Sequence, residues 1–325
     1  MYFRNCVYFL CGCVAFGAMA SPDVTVFFPE INGNLSSITW AHAVNNQSYL
    51  NSTLNDNNIM MIEADIVLGT LTGTNNTNGT NATEIPVMGH PPSNTSDLSL
   101  ENFLTTIDLF NTNATNTTTR KGVKLDFKSI EVFNASITLL RSYNQGRYPI
   151  WLNADILEGP INATTVPVNA DQFLQGASEF NNTVLSIGWT TNFGANMTGN
   201  YTTAQISSMT TVIRQNNVTQ NITFPVRAGL AAESLSVMSA LITNVTGSTL
   251  TLWSSEGDNV NVTNLRNLIA QIGVGRVFID IPDDLRNQLS LDNLPSTPVA
   301  PGGASSLMPK LVVSVLVALL AFICK

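Results

Sequence analysis

The sequence predicts a single α/β domain folded as a (β/α)8 TIM-type barrel, and three observations lead to that prediction. Short apolar runs rich in β-branched residues recur along the chain. Stretches with helical spacing separate them, and this alternation is typical of βαβ units around a parallel sheet. The runs number eight, as the barrel requires. A doubly wound open sheet is the alternative, but no glycine-rich phosphate loop follows any of the runs.

The predicted strands are short and mostly without polar alternation. Continuous apolar runs such as Val277-Phe278-Ile279 are typical of a sheet that is buried on both faces. The eight predicted strands cover residues 38–44, 60–68, 123–128, 149–155, 184–190, 222–228, 250–254 and 277–281.

Stretches with apolar residues three and four apart lie between the strands and predict helices. A Thr- and Asn-rich loop at residues 69–84 is the longest connection, and a short extended segment at 86–90 follows it. A second polar stretch, 111–119, precedes the third strand. The predicted helices cover residues 48–55, 100–110, 130–143, 171–180, 204–215, 232–243 and 264–272.

The first twenty residues have the composition of a secretory signal peptide. Arg4 precedes an apolar run at residues 6–16, and Ala18-Met19-Ala20 forms a small-residue cleavage site. A membrane anchor is the alternative, but the run is too short to span a bilayer. We therefore expect residues 1–20 to be removed and the barrel domain to begin at residue 21.

The last thirty or so residues resemble a lipid-attachment signal. We expect the barrel to end at residue 294 and residues 295–310 to form a stalk that includes the small attachment residues Gly302 and Gly303. The apolar tail, 311–325, is shorter than the roughly 20 residues of a spanning helix and lacks a basic stop. This pattern favours a GPI anchor over a short membrane helix. It places the protein on the extracellular face of the plasma membrane, or in the secreted state.

The composition excludes several classes of protein. Only 11% of residues are charged, and the net charge of −8 argues against a nucleic-acid binder that relies on a basic surface. The 44% hydrophobic content is too high for a disordered chain. All four cysteines, Cys6, Cys11, Cys13 and Cys324, lie in segments that we expect to be removed. No thiol nucleophile or thiolate metal site would then remain.

Asparagine and threonine replace the missing charge. We count roughly eighteen N-x-S/T sequons, and glycans on them would make the surface soluble. A lectin-like role for the Asn-rich loops is the alternative, without specific support. The candidate glycosylation sites include Asn34, Asn51, Asn75, Asn78, Asn81, Asn113, Asn116, Asn134, Asn162, Asn196, Asn221, Asn244 and Asn261.

Charged and histidine side chains concentrate at the carboxyl ends of the predicted strands, where a barrel places its active site. Glu63 and Asp65 are two residues apart and face the same side of the second strand, and Asp126 lies on the third. Three carboxylates offer the oxygen ligands that Mg²⁺ or Ca²⁺ prefers. His42 and His90 flank them and suit a general acid and base, or a nucleophile and acid.

Other strand-end residues suggest a site for an anionic ligand. Lys128 and Arg227 are suited to a phosphate, so the whole set indicates metal-assisted phosphodiester chemistry. The alternative is structural: the two cations neutralise acids in an ion-pair layer, and the tryptophans fill the core or rim. The further candidates for ligand contact are Asn153, Asp155, Trp189 and Trp253.

At these same residues the chain resembles the menorin family. The matching segments run in order from about residue 36 to 285, which is nearly the whole predicted barrel domain. That family is itself similar to glycerophosphodiester phosphodiesterases and sphingomyelinase D-type enzymes, which are (β/α)8 barrels. The matching segments are residues 38–45, 61–65, 86–92, 121–128, 151–157, 185–191 and 224–228.

The resemblance implies roles for five residues. His42 and His90 would be the acid–base pair, and Glu63, Asp65 and Asp126 would be the metal ligands. Three positions depart from the phosphodiesterase pattern. The family of enzymes usually has Arg where this chain has Ala43, Asp where it has Pro91, and the longer Glu where it has Asp126.

The resemblance also implies a biological role. Menorins are known as extracellular cell-surface proteins that help to pattern dendrites within adhesion-receptor complexes. This implies partners among cell-surface or extracellular-matrix proteins. Two functions stay open from the sequence. One is a recognition module on a phosphodiesterase-like barrel, and the other is a metal-dependent phosphodiesterase or phospholipase D-like lyase.

Overall fold

A computed structural model describes residues 23–73, 83–115 and 119–294. The predicted signal peptide, stalk, attachment residues Gly302 and Gly303, and apolar tail lie outside the described residues. The sequons at Asn75, Asn78, Asn81 and Asn116 also lie outside them. Within the described ranges, no helix is long and apolar enough to cross a membrane.

Eight parallel strands form a nearly closed barrel, which confirms the predicted fold class. Their order around the barrel is β1-β2-β5-β6-β7-β8-β9-β10, so every barrel strand follows its neighbour in the chain. Two short strands, β3 and β4, pair with β2 outside this path. The strands are β1 (Trp40–Ala41), β2 (Met61–Leu71), β3 (Ile85–Met88), β4 (Thr95–Ser96), β5 (Gly122–Phe127), β6 (Ile150–Leu157), β7 (Val184–Trp189), β8 (Ile222–Arg227), β9 (Thr249–Trp253) and β10 (Val277–Asp280).

Helices connect the strands and cover the outer face of the barrel. Most begin at a side-chain cap: Ser129 accepts a hydrogen bond from the Val132 amide, and Thr202 and Gln205 form a capping box. The helices are α1 (Val24–Phe27), α2 (Gln47–Asn55), α3 (Leu100–Asn113), α4 (Ile130–Tyr143), α5 (Ala170–Ala177), α6 (Thr203–Gln215), α7 (Ala228–Ala232), α8 (Leu235–Asn244), α9 (Val262–Ile272) and α10 (Asp283–Leu289).

One predicted helix, 232–243, is displaced in the structure. Helix α8 begins at Leu235, and the separate short helix α7 precedes it. The helix is interrupted at Ser234. The hydroxyl of this residue donates a hydrogen bond to the Leu230 carbonyl and accepts one from the Tyr201 amide. A hydroxyl that bonds to nearby backbone competes with helix continuation, so two helices replace one.

Strand β2 is longer than predicted and extends beyond the barrel. Its first half pairs with β5, and its second half pairs with β3 and β4 instead of opening directly into a loop. Gly69 allows the close approach, because a Cβ there would lie 1.9 Å from the Asn94 carbonyl oxygen. The extension holds the loop that carries His90 above β2, where the Gly89 amide donates to the Asp65 carbonyl at 2.9 Å.

Aromatic rings fill the barrel below the predicted site. Trp40, Trp151 and Phe278 pack with ring centroids 4.7–6.4 Å apart. Each ring lies two positions before a polar residue of the same strand end, and residues two apart face the same side of a strand. The three polar residues are His42, Asn153 and Asp280. The interior therefore changes from an apolar floor to a polar mouth within one layer of side chains.

Candidate functional site

Three carboxylates converge at the carboxyl end of two adjacent strands. Glu63 and Asp65 lie on β2, and the ladder pairs Asp65 with Asp126 on β5. One ligand oxygen from each of the three lies within 4.8 Å of the others. Glu63 and Asp65 are buried and Asp126 is half-buried, so the set has little access to bulk water.

The loop after β1 orients the two acids of β2. The Ala43 amide donates to Glu63 Oε2 at 2.8 Å, and Ala43 adopts a left-handed backbone with φ of 55°. Asn45 holds Asp65 from both sides. Its Nδ2 donates to Asp65 Oδ2 at 2.7 Å, and its Oδ1 accepts from the Asp65 amide at 2.9 Å. A non-glycine residue in this backbone region is strained, and here it directs an amide at a carboxylate.

A hydrogen-bond relay through two further strands orients the third acid. Asn153 Nδ2 on β6 donates to Asp126 Oδ1 at 2.6 Å. Ser186 Oγ on β7 donates to Asn153 Oδ1 at 2.6 Å, and Ser186 is fully buried. Each carboxylate therefore has its own orienting donor.

The donor set fits a hard divalent cation such as Mg²⁺ or Ca²⁺. It offers only oxygen atoms, and the three acids bring more negative charge than Lys128 and Lys124 together balance. Within the described ranges, no hydrogen bond reaches the second oxygen of buried Glu63, Oε1. Hydrogen-bond donors that orient the ligating carboxylates, as the Ala43 amide, Asn45 and Asn153 do here, are typical of metal sites.

Lys128 bridges two of the carboxylates. Its Nζ lies 2.6 Å from Asp65 Oδ1 and 2.5 Å from Asp126 Oδ2. Burial opposes the ammonium form, but the charges of Asp126, Asp65 and Glu63 outweigh it and raise the pKa of Lys128. Burial likewise opposes ionisation of Asp126, yet Lys128 and Lys124 lower the pKa of that carboxyl. Lys128 and Asp126 therefore both stay charged.

His42 is held by carboxylates at one ring nitrogen. Its Nδ1 lies 2.9 Å from Asp280 Oδ2 on β10 and 3.6 Å from Glu63 Oε2. The charge of Glu63, opposed by burial and aided by Asp280, raises the pKa of His42 to about 9. The side chain is 47% exposed, and its ring lies parallel to that of Trp253. With Nδ1 engaged, Nε2 is the ring nitrogen that can reach a ligand in the mouth.

His90 lies on the exposed surface of the loop after β3. Its Nδ1 is 2.7 Å from the carbonyl oxygen of Pro91. Among the described residues, no hydrogen bond or ion pair joins His90 to the three carboxylates or to His42. The structure thus brings together four of the five residues that the resemblance implies, and it places His90 on the adjacent loop.

Asp155 lies half-buried on β6, two residues beyond Asn153 on the same face. Burial, with a contribution from Asp126, raises the pKa of Asp155 to about 7. Gly188 on β7 makes room for this carboxyl, because a Cβ there would lie 2.9 Å from Asp155 Oδ1.

The structure places Arg227 and Trp189 in the wall of the barrel. Asp258 binds Arg227 through two hydrogen bonds of 2.7 and 2.8 Å. The guanidinium also lies 4.4 Å from the centroid of Trp253. Trp189 is 1% exposed and packs against Tyr201 at 5.4 Å between ring centroids.

Four residues of the site were not assigned a role from the sequence. They are Asn45, Ser186, Asp258 and Asp280. The strand-end rule places both Asp280, the last residue of β10, and Asn45, just after β1, near the mouth, but it gives neither a role. Ser186 and Asp258 carry no such signal, because only the three-dimensional neighbours of a serine or a loop aspartate show what it contacts.

Comparison with known proteins decides the family. A family model described as the Menorin N-terminal domain matches residues 34–286. The chain belongs to the menorin family. Human Protein FAM151B is similar to it, with 33% identity over 249 residues that cover 76% of this chain and 83% of that protein. The menorin match contains every site residue described above, from His42 to Asp280.

Proposed function

We propose that the mouth of this menorin-family barrel binds a divalent cation and a phosphodiester ligand, and that His42 carries out proton transfer or nucleophilic attack there. One observation carries the proposal. Glu63, Asp65 and Asp126 converge within 4.8 Å beside a histidine that a fourth acid, Asp280, holds in place.

The three carboxylates would hold Mg²⁺ or Ca²⁺. A cation bound there would neutralise developing charge on a phosphoryl oxygen and orient the ligand. Lys128, at the edge of the same cluster, would contact an anionic oxygen of the ligand. Asn153, Asp155 and Trp253 lie near the same mouth and would contact the ligand. Arg227 is already paired with Asp258 through Nε and Nη2, and the charge of that acid would weaken its attraction for an anion.

The role of His42 follows from its contacts. Asp280 fixes Nδ1, so Nε2 faces the ligand. While Glu63 and Asp280 both bear free negative charge, they retain the proton on the ring. A cation held by Glu63 would neutralise one of these charges and favour loss of the Nε2 proton. Nε2 would then accept a proton from an attacking hydroxyl group, or attack phosphorus as the bond from phosphorus to the leaving oxygen breaks and that oxygen takes a proton from the partner acid. His90, on the nearby loop, is the proposed partner acid.

Cation binding is tested by calorimetric titration of the wild-type ectodomain with MgCl₂ and CaCl₂. We expect saturable binding to the wild type and its loss in Asp65→Asn, which keeps the side-chain shape but removes a ligand charge. Asp97→Asn, at an exposed acid, is the matched control and should bind as the wild type does. If no divalent ion binds the wild type, the proposed cation site is absent.

Catalysis is tested separately by ³¹P NMR with glycerophosphocholine and lysophosphatidylcholine as probes. We expect a cation-dependent change in the phosphorus spectrum that His42→Ala abolishes and His90→Ala reduces. A wild type that binds the cation but leaves both probes unchanged after long incubation would exclude these ester classes as substrates.

Extracellular recognition is the second function that we propose, and menorin membership favours it. The partners would be cell-surface or extracellular-matrix proteins, with the barrel as a scaffold. If His42→Ala and His90→Ala leave partner binding and biological activity intact while the cation still binds, recognition is the function and catalysis is not.

The proposed cell-surface location is supported by the exposed positions of the sequons. Asn34 is half-buried, and the other candidates in the described ranges are exposed: Asn51, Asn113, Asn134, Asn162, Asn196, Asn221, Asn244 and Asn261. We expect peptide N-glycosidase F to increase the electrophoretic mobility of the protein. We also expect phosphatidylinositol-specific phospholipase C to release it from cells. Retention on the cells would contradict the GPI anchor, and unchanged mobility would contradict the glycans.

A further inference from the structure

From the position of Lys128 we infer that its ammonium group competes with the divalent cation for Asp65 and Asp126. Cation binding would then release the ammonium toward the mouth, where an anionic ligand can bind it. This inference rests on the proposed cation site and specifies how the two halves of the proposed ligand, cation and anion, depend on each other.

The competition follows from which oxygens are already in use. Asp65 Oδ2 accepts a hydrogen bond from Asn45 Nδ2, and Asp126 Oδ1 accepts one from Asn153 Nδ2. Lys128 contacts the two remaining oxygens, Asp65 Oδ1 and Asp126 Oδ2. The oxygens of these two acids that no amide contacts are therefore the ones that the ammonium contacts, and a cation that binds them competes with Lys128.

Charge makes sharing unfavourable. An ammonium and a divalent ion on the same two oxygens would be near neighbours of like charge, in a buried site where salt screens them little. Two positive groups in this position each weaken the binding of the other. Removal of Lys128 should therefore strengthen cation binding, although it removes a contact that stabilises the cation-free site.

Lys128 is accessible from the mouth, whereas a second lysine is enclosed. Lys128 directly follows the last residue of β5, and its side chain is 22% exposed, so a path to the mouth exists. Lys124 lies in the interior of the same strand and is only 3% exposed. Its charge lowers the pKa of Asp126, but among the described residues it forms no ion pair with that acid.

Displacement couples the cation to an anion. Once the ammonium leaves the carboxylates, it lacks a counter-ion, so an anion in the mouth gains affinity. By thermodynamic reciprocity, the anion must then strengthen cation binding by the same factor. Without Lys128 this coupling should fall to the part that direct attraction between the cation and the anion supplies.

The test is calorimetric titration of the folded ectodomain with MgCl₂, after removal of bound metal by EDTA and dialysis. We expect Lys128→Met to bind Mg²⁺ at least tenfold more tightly than the wild type. Arg214→Met is the matched control, because it removes the same charge from an exposed position on α6 and should leave the affinity unchanged. Lys128→Gln replaces Lys128→Met if the latter does not fold.

The titration is repeated in sodium sulfate against sodium chloride of equal ionic strength. Sulfate should tighten Mg²⁺ binding several-fold in the wild type and by a clearly smaller factor in Lys128→Met. Thermal melting supplies a second readout. In EDTA the variant should melt below the wild type, and saturating Mg²⁺ should raise its melting temperature by more than it raises that of the wild type.

The outcomes separate the inference from the proposed function. Equal or weaker Mg²⁺ affinity in Lys128→Met overturns the inference, while loss of binding in Asp65→Asn would still support the cation site. Sulfate coupling that is as large in Lys128→Met as in the wild type also overturns it. Absence of Mg²⁺ binding in the wild type and in every variant removes the cation site, and the inference with it.

Discussion

His42 donates its Nδ1 proton toward Asp280 at 2.9 Å, with Glu63 also near, and this contact makes folding stability depend on pH. The folded-state pKa of about 9 lies above the ordinary 6.5. The contribution is therefore fully present below pH 6.5 and is lost as pH rises through about 9. Because the side chain is nearly half exposed, we expect a contribution of only about 1 kcal/mol.

We predict that His42→Gln is less stable than the wild type at pH 6 and that the difference disappears near pH 10. Urea unfolding in EDTA at both pH values measures this difference. His90→Gln, at the only other histidine, is the control and should cost less at pH 6. A constant deficit for His42→Gln at both pH values would show that the loss comes from packing and not from charge.

Ser186 acts on Asp126 through Asn153, and its loss should affect both stability and metal binding. We predict that Ser186→Ala destabilises the fold by about 1–2 kcal/mol, because a buried acceptor loses its donor. We also predict roughly tenfold weaker Mg²⁺ binding, because Asp126 is less firmly oriented. Ser248→Ala removes another buried hydroxyl far from the site and should affect stability alone. Equal Mg²⁺ affinity in both variants would contradict the relay.

The sequence predicts the carboxylates more readily than the residues that hold them. Glu63 and Asp65 share a strand face by simple alternation, which a single sequence shows. Their partners do not follow from local pattern. The bond between Asn45 and Asp65 spans 20 residues, that between Ser186 and Asn153 spans 33, and that between His42 and Asp280 spans 238.

At the level of elements, the best-predicted helices have local signals at their ends. Helix α4 spans Ile130–Tyr143, as predicted, because Ser129 caps it and its apolar residues follow a helical period. The short helices α1, α7 and α10 are not predicted. They have too few residues for a periodic pattern, and contacts with the barrel determine them instead.

The β2 extension depends on a single glycine. We predict that Gly69→Ala destabilises the protein by at least about 2 kcal/mol, because the new methyl group would overlap the Asn94 carbonyl. Gly194→Ala is the matched control, because a Cβ there meets nothing within 4 Å. Urea unfolding measures both. A neutral Gly69→Ala would show that β2 and the following loop can separate without cost.

For the whole molecule, the alternation of eight runs with helical stretches predicts the fold, and the structure confirms it. The alternation of strands and helices does not predict how the barrel closes between its first and last strands. Strand β1 has only two residues, and among the described residues no ladder joins it to β10. Side chains span the seam instead, through His42 and Asp280 and through Arg286 and the Ser36 carbonyl.

The absence of cysteine from the barrel should make the stability of the whole domain independent of redox conditions. Residues 23–294 contain no cysteine, so one large apolar core must supply the stability. We predict that dithiothreitol does not change the melting temperature of the barrel domain. A decrease on reduction would reveal a cross-link that involves another molecule or the chain ends.

The seam between β1 and β10 has a consequence for biosynthesis. Its contacts join residues 238 and 250 positions apart, so they raise the contact order of the domain and can form only after nearly the whole domain has been synthesised. Every nascent chain that stops before β10 lacks the partner of His42. The acid–histidine pair is therefore assembled only when translation of the domain is finished, and truncated products emerge without it.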